Sequence, residues 1–173
     1  MKKAIAGRLR RWMFYLYACY RGTGGRLKYV SPDWREVQLE IPLSWRTRNY
    51  VGTIFGGSMY GAVDPIYMLM LINRLGPGYV VWDKAARIEF KKPGRSKLLA
   101  RFTLPDEEIA QIQSALEQQR SVDRCYSVDL IDGAGVVCAT VEKMIYIRRR
   151  QASPGGSGSS SEDSISTPSS EDR

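Results

Sequence analysis

The stretch NYVGTIFGGSMYGAVDPIYMLMLI, residues 49–72, decides how the rest of the chain is read. It crowds Gly52, Gly56, Gly57 and Gly61 ahead of a run of large apolar side chains and sets one carboxylate, Asp64, between them. Three readings compete. Gly52 and Gly57-Ser58 reproduce the spacing of a phosphate-binding loop, but the lysine expected between the last glycine and the hydroxyl residue is missing, so no cation would reach the terminal phosphates. Asp64-Pro65 also makes a good helix start, a capping carboxylate followed by proline at the first helical position, with residues 66–75 as the body and Gly76 as the stop. If the helix begins near Gly57 instead, its unpaired N–H groups emerge from a glycine-rich turn that a substrate can approach closely, where a developing oxyanion would be stabilised. Asp64 then lies about two turns further along the same face. A carboxylate there could serve acyl hydrolysis as general base or as nucleophile.

Composition narrows the chemistry. The 173 residues suffice for one ordinary domain, and 43% hydrophobic with 25% charged residues describes a globular chain. There is no histidine, which removes Ser-His-Asp and Cys-His nucleophile systems, imidazole acid–base catalysis and His-ligated zinc together. Cys19, Cys125 and Cys138 are odd in number and form no C-x-x-C pair, so neither a disulfide framework nor a metal site is expected, and a reducing cytoplasm is. The net charge of +8 is local: residues 1–28 hold eight Lys and Arg and no acid, and the other 18 basic residues are matched by 18 acidic ones. Basicity confined to one terminal segment does not support a nucleic-acid partner.

Residues 1–28 are expected to form a basic amphipathic helix. Its apolar part, residues 12–20, is too short to cross a bilayer. It either lies in a membrane surface, aromatic side chains inserted and arginines on anionic head groups, or docks on the domain or on a partner subunit. Residues 29–150 are read as one domain. Within it WREVQLEI alternates as a half-buried strand with Val37, Leu39 and Ile41 inward. YVVWDKAARIEF and SKLLARFTL are strands on either side of a Pro93-Gly94 turn. PDEEIAQIQSALEQQR carries acids in its first turn and an Ile109, Ile112, Leu116 stripe, the marks of a one-faced helix. Asp132-Gly133-Ala134-Gly135 turns a hairpin between two further strands. Residues 151–173, rich in Ser, Gly and Pro, cannot bury enough apolar surface to offset their ordering entropy and are read as a disordered tail. The expected fold is α+β: a curved antiparallel sheet wrapped around a long apolar central helix, with an extra helix inserted between strands.

The pattern Asn49-x-x-Gly52-Thr53-x-Phe55-Gly56-Gly57, with Asp64 seven residues on, resembles the hotdog-fold acyl-CoA thioesterases of the phenylacetyl-CoA thioesterase type. GGSMYGAVDPIYMLML and VWDKAARIEFKKPGR look like a less characterised bacterial thioesterase-like branch. The resemblance implies the hotdog fold, an acyl-CoA or acyl-carrier thioester as substrate with coenzyme A as part of it and no other cofactor, and a homodimer or homotetramer with sites between subunits. It implies that Asp64 is the catalytic carboxylate, that Gly57 offers a backbone N–H to the thioester carbonyl, and that Asn49 holds the water or the carbonyl. Gly56 and Ser58 would flank the substrate. Phe55 stands where the family commonly has His; a phenyl ring donates no hydrogen bond and would narrow the acyl tunnel. Asp83 and Lys84 interrupt an apolar strand, either to reach a site in the neighbouring subunit or to form a buried ion pair at the dimer interface. Were Asp83 to face Asp64, each would raise the other's proton affinity. Lys91, Lys92 and Arg95 could meet the phosphates of coenzyme A or could be solvated turn residues. A non-catalytic acyl-CoA or fatty-acid binding protein of the same fold is the alternative.

Overall fold

A computed structural model describes residues 17–150. The first sixteen residues and the Ser/Gly-rich tail read from the sequence lie outside them. The described chain opens with a short helix, α1 (Ala18–Thr23), ended by Gly24 at φ 75°, and turns directly into β1 (Arg26–Val30). A strand therefore begins inside the segment expected to be helical throughout, because residues 26–30 have a partner: β1 pairs antiparallel with β2 (Glu36–Ile41), burying Leu27 and Val30.

Helix α2 (Gly56–Val63) and helix α3 (Ile66–Leu75) follow, then β3 (Tyr79–Phe90), β4 (Leu98–Thr103), helix α4 (Asp106–Gln118), β5 (Ser121–Ile131) and β6 (Val137–Arg149). The six strands form one antiparallel sheet in the order β1-β2-β4-β5-β6-β3. Although β3 and β4 flank one turn, they are not neighbours: β3 pairs with β6 at the sheet edge, and β4 lies between β2 and β5. The β5–β6 hairpin forms as expected around Asp132, whose N–H donates to the Val136 carbonyl, and Gly135 adopts φ 80°.

One face of the sheet carries Val37, Leu39, Ile41, Ala100, Phe102, Val141, Ile145 and Ile147, all buried, and α2 and α3 bury Met59, Ala62, Val63, Ile66, Met70 and Leu71 among them. Full burial of each large apolar side chain contributes about 1.5–3 kcal/mol before entropy is counted, which is ample reason for the sheet to wrap around this helix pair. Irregular registers at Leu27/Tyr29, Asp83/Ala85 and Leu130/Ile131 add bends to the strands. Helix α4 presents the expected stripe of Ile109, Ile112 and Leu116 to the core. It is tied down by Glu108, which receives the Arg124 guanidinium (Nε to Oε1, 2.8 Å) and the Tyr126 hydroxyl (2.7 Å). Tyr126 in turn stacks on Tyr67 of α3, centroids 4.7 Å apart.

The central helix is not one rod. The proline ring has no N–H for the Gly61 carbonyl, and α2 ends at Val63 while α3 starts at Ile66. Both Asp64 and Pro65 nevertheless keep right-handed helical dihedrals, so the two helices run on with a break beside Asp64.

Candidate functional site

The loop before α2 is shaped by its own side chains. Asn49 donates from Nδ2 to Thr53 Oγ1 and accepts the Thr53 N–H at Oδ1, each at 3.0 Å, closing a turn in which Gly52 takes φ 83°. The Thr47 hydroxyl bonds the Pro42 carbonyl at 2.5 Å, and the Phe55 N–H donates to the Thr47 carbonyl at 2.7 Å. Ile54 donates to the Gly94 carbonyl at 2.9 Å, which brings the turn bearing Lys91, Lys92 and Arg95 beside the helix start. These three cations are exposed and form no ion pair among the described residues.

Phe55 is the N-cap of α2 with extended dihedrals and makes no side-chain cap. The first helical bond runs from the Met59 N–H to the Phe55 carbonyl at 3.1 Å, so the amides of Gly56, Gly57 and Ser58 precede the ladder, as helix geometry requires. Both glycines let a phenylalanine ring lie close against the backbone. A Cβ on Gly56 would sit 2.7 Å from Cζ of Phe90, and one on Gly57 would overlap the Phe55 ring. The two rings, 56% and 58% exposed, wall the helix start with apolar surface.

Asp64 stands at the other end of α2 and does not cap α3: no side chain caps that helix. Its Oδ1 receives the Tyr60 hydroxyl at 2.7 Å and the ammonium of Lys143. Lys143 is 2% exposed and lies 3.1 Å from Asp83 Oδ1, without the alignment of a hydrogen bond. A lysine from β6, a carboxylate from the helix break, a carboxylate from edge strand β3 and a phenol one turn back thus converge on one point. The Asp64 side chain keeps 39% of its surface exposed, so the cluster opens to solvent on that side.

The electrostatics follow from this arrangement. Burial pushes the Asp83 carboxyl above the usual carboxylate range; Lys143 pulls it down and the charge on Asp64 pushes it up, with a net rise. Burial works against the Lys143 ammonium, but its hydrogen bond to Asp64 and its contact with Asp83 outweigh that and hold it above the ordinary lysine value. The Tyr60 phenol is raised, first by burial and then by the bond to Asp64. Two acids and one buried cation leave the cluster one negative charge in excess.

The expected site residues therefore separate into groups. Phe55, Gly56, Gly57 and Ser58 form the helix start, with Lys91, Lys92 and Arg95 on the adjoining turn. Asp64 and Asp83 meet through Lys143. Asn49 is bonded within its own loop. Lys84 is the extra residue of the β3 irregularity and pairs with Asp123 at 2.6 Å in an exposed contact, whereas the cation beside Asp83 is Lys143. Sequence reasoning missed Lys143, Tyr60 and Phe90. The signal for Lys143 was present, because Val141, Lys143, Ile145 and Ile147 share one face of β6 and a lysine in that stripe is buried with its partners. Among the described residues no group of three or more His, Cys, Asp or Glu could hold a metal ion, and no helix is long and apolar enough to cross a membrane.

A curved six-stranded antiparallel sheet wrapped around a broken central helix defines a hotdog fold. The chain belongs to the family described as "Domain of unknown function (DUF4442)", which matches residues 7–147. No curated protein sequence matches it. Among solved structures it is similar to a Pseudomonas aeruginosa protein of unknown function described as a probable thioesterase, with TM-score 0.75 and 17% identity, covering 83% of this chain and 95% of that one. It is also similar to a protein of unknown function from Chlorobaculum tepidum, with TM-score 0.68, 14% identity and coverage of 86% and 97%. Thioesterase superfamily member 2 from Mus musculus gives TM-score 0.59 and 16% identity over 82% and 96%. At these identities the likenesses show the fold.

Proposed function

We propose that the protein hydrolyses acyl-CoA or acyl-carrier thioesters. The observation that carries the reading is that α2 offers free N-terminal amides walled by Phe55 and Phe90 at one end and the half-exposed Asp64 carboxylate at the other. Asp64 takes a proton from water, the hydroxide oxygen bonds to the thioester carbonyl carbon, and the carbonyl oxygen gathers negative charge against the Gly57 N–H. Collapse breaks the carbon–sulfur bond, the thiolate recovers the proton, and a carboxylic acid and a free thiol leave. The acyl chain lies against Phe55 and Phe90 beside Gly56 and Ser58, and Lys91, Lys92 and Arg95 face the phosphates of coenzyme A. Asn49 supports the reaction by fixing the loop that delivers Phe55.

Seven residues of helix separate Gly57 from Asp64 by about 10 Å, whereas a base, one water and a carbonyl carbon in line span about 6 Å. A site completed between two copies closes that gap. Strand β3 is a twelve-residue edge with Trp82 and Phe90 exposed, the kind of edge that globular proteins cover, and it passes both Gly56 and the Asp83 cluster. We therefore place homodimer assembly along β3. Membrane contact through residues 1–28 keeps a narrower basis, the exposed Arg21 of α1 beside exposed Trp45 and Arg46, and liposome co-sedimentation tests it.

Thiol release from a panel of short, long and aromatic acyl-CoA substrates is the test. Turnover that drops by roughly 100-fold or more in Asp64→Asn supports the reading, and no turnover across the panel ends it. The binding-protein alternative draws on the Lys143 contact that engages Asp64 and on Phe55, which has no donor. It predicts thermal stabilisation by acyl-CoA that survives in Asp64→Asn with no hydrolysis.

A further inference from the structure

Both donors that hold Asp64 converge on the same oxygen. The Tyr60 hydroxyl, 2.7 Å away, and the Lys143 ammonium both reach Oδ1, and Oδ2 accepts no hydrogen bond from any described residue. Each donor is itself fixed. Tyr60 is one helical turn before Asp64, so its ring and the carboxylate share a face of α2. Lys143 stands in the buried stripe of β6 with its ammonium 5.4 Å from the Tyr60 ring centroid and held from the other side by Asp83. A carboxylate gripped at one oxygen by two donors on two different elements has its plane set, and its second oxygen points away from the grip.

We propose that Tyr60 and Lys143 are positioning residues that clamp Asp64 through Oδ1 and present Oδ2 as the oxygen that takes the proton from water. This rests on the thioesterase reading above and assigns two residues to it. Asp83 acts at one remove, holding Lys143. No proton leaves Tyr60 or Lys143 during the step: the water proton goes to Oδ2 and from there to the departing thiolate. Loss of the clamp leaves substrate binding intact, since neither donor lies at the helix start or on the Lys91 turn, and lets the base swing through rotamers that cannot reach the water.

The test compares Tyr60→Phe, Lys143→Met paired with Asp83→Asn so that the half-exposed Asp64 is the one acid left without this cation, and Asp64→Asn. Steady-state thiol release, calorimetric binding of a non-hydrolysable thioether analogue of the substrate and thermal melting are measured for each. Tyr60→Phe removes one hydroxyl and no charge. The clamp requires its kcat to fall about tenfold or more, equivalent to about 1.4 kcal/mol, with KM, analogue affinity and melting temperature within twofold or a few degrees of the parent. The Lys143→Met/Asp83→Asn protein must show the same split between kcat and KM. Tyr60→Phe with parental kcat, in a background where Asp64→Asn is inactive, overturns the clamp and leaves Asp64 as base. Asp64→Asn with parental kcat overturns the base itself, and the clamp with it.

Discussion

Replacing Lys143 by methionine tests the cluster where its physics is sharpest. The new side chain has nearly the length of the old one and suits the apolar stripe of Val141, Ile145 and Ile147, so little packing is lost. What is lost is the only described cation touching both Asp64 and Asp83. Removing one partner of a buried ion pair costs about 3–5 kcal/mol. Here Asp64 keeps 39% of its side chain exposed and Asp83 26%, so partial rehydration brings the expected loss to about 2–4 kcal/mol near neutral pH. At about 3 °C per kcal/mol for a chain of this size, the melting temperature falls by about 6–12 °C. The pH dependence is more telling. The folded-state proton affinity of Asp83 is raised already by burial, with Lys143 the influence that holds it down; without the lysine it rises further. A carboxyl raised in the folded state supports stability below its unfolded value and loses that support as pH rises through its folded value. Lys143→Met must therefore be most destabilised at neutral pH and approach the parent as pH falls towards about 4. Urea unfolding at two pH values and one protein concentration measures this, concentration being fixed because assembly would shift the midpoint. A loss that is equal at both pH values, or absent at neutral pH, refutes the account of a buried cation serving two acids.

Three further outcomes follow from other parts of the molecule. Glu108→Gln loosens α4 from β5 and destabilises by about 1–3 kcal/mol; because the hydrogen bond from Arg124 lowers the Glu108 carboxyl, the parent's advantage is present above about pH 4.5 and fades as pH falls through the lowered folded value, which acid titration of both proteins checks. Gly57→Ala forces its methyl against the Phe55 ring, so it lowers stability by about 1 kcal/mol, and a double-mutant cycle with Phe55→Ala should recover most of that loss. Replacing Lys91, Lys92 and Arg95 by alanine raises KM for acyl-CoA about tenfold at low salt while leaving KM for an acyl-pantetheine, which lacks the nucleotide phosphates, unchanged; equal changes for both substrates remove those residues from phosphate binding.

The fold was readable where local pattern and burial agree. The alternation from Val37 to Ile41, the Ile109, Ile112, Leu116 stripe and the Asp132–Gly135 turn are each found where the periodicity places them. β1 was not readable, because five residues, three of them exposed, become a strand only through β2. The place of β3 at the edge was also hidden, since a turn between two strands does not say whether they pair. In the site, the motif from Phe55 to Asp64 located the helix start and the carboxylate, but it could not say what Asp64 faces. That depends on Lys143, 79 residues away in sequence, and on a register that places β6 under the helix break. Asp83 and Lys84 show the same limit: the sequence left open whether they reach a neighbouring site or form an interface ion pair, and the irregularity at Asp83/Ala85 sends them to different partners within the chain.

Two local rules are broken beside Asp64. Pro65 interrupts the central helix and takes away a backbone bond. Lys143 sets a charge in a stripe of β6 where Val or Ile would pack without a partner. The buried charge is not needed for stability, since a buried ion group exchanged as a whole for apolar side chains of similar volume is often neutral or stabilising by about 1–4 kcal/mol. Elsewhere the apolar stripes and the glycine turns agree with the fold, Trp34 at φ 59° being a backbone exception away from Asp64. Departures that converge on one half-exposed carboxylate, the single acid of the central helix, mark the place where local order is given up for chemistry. The same argument sets the order of experiments. A variant in which Asp64, Asp83 and Lys143 are replaced together by apolar residues should fold at least as stably as the parent and hydrolyse nothing. If it keeps thiol release, the cluster belongs to the scaffold and the chemistry must be sought at the Phe55 end of the helix.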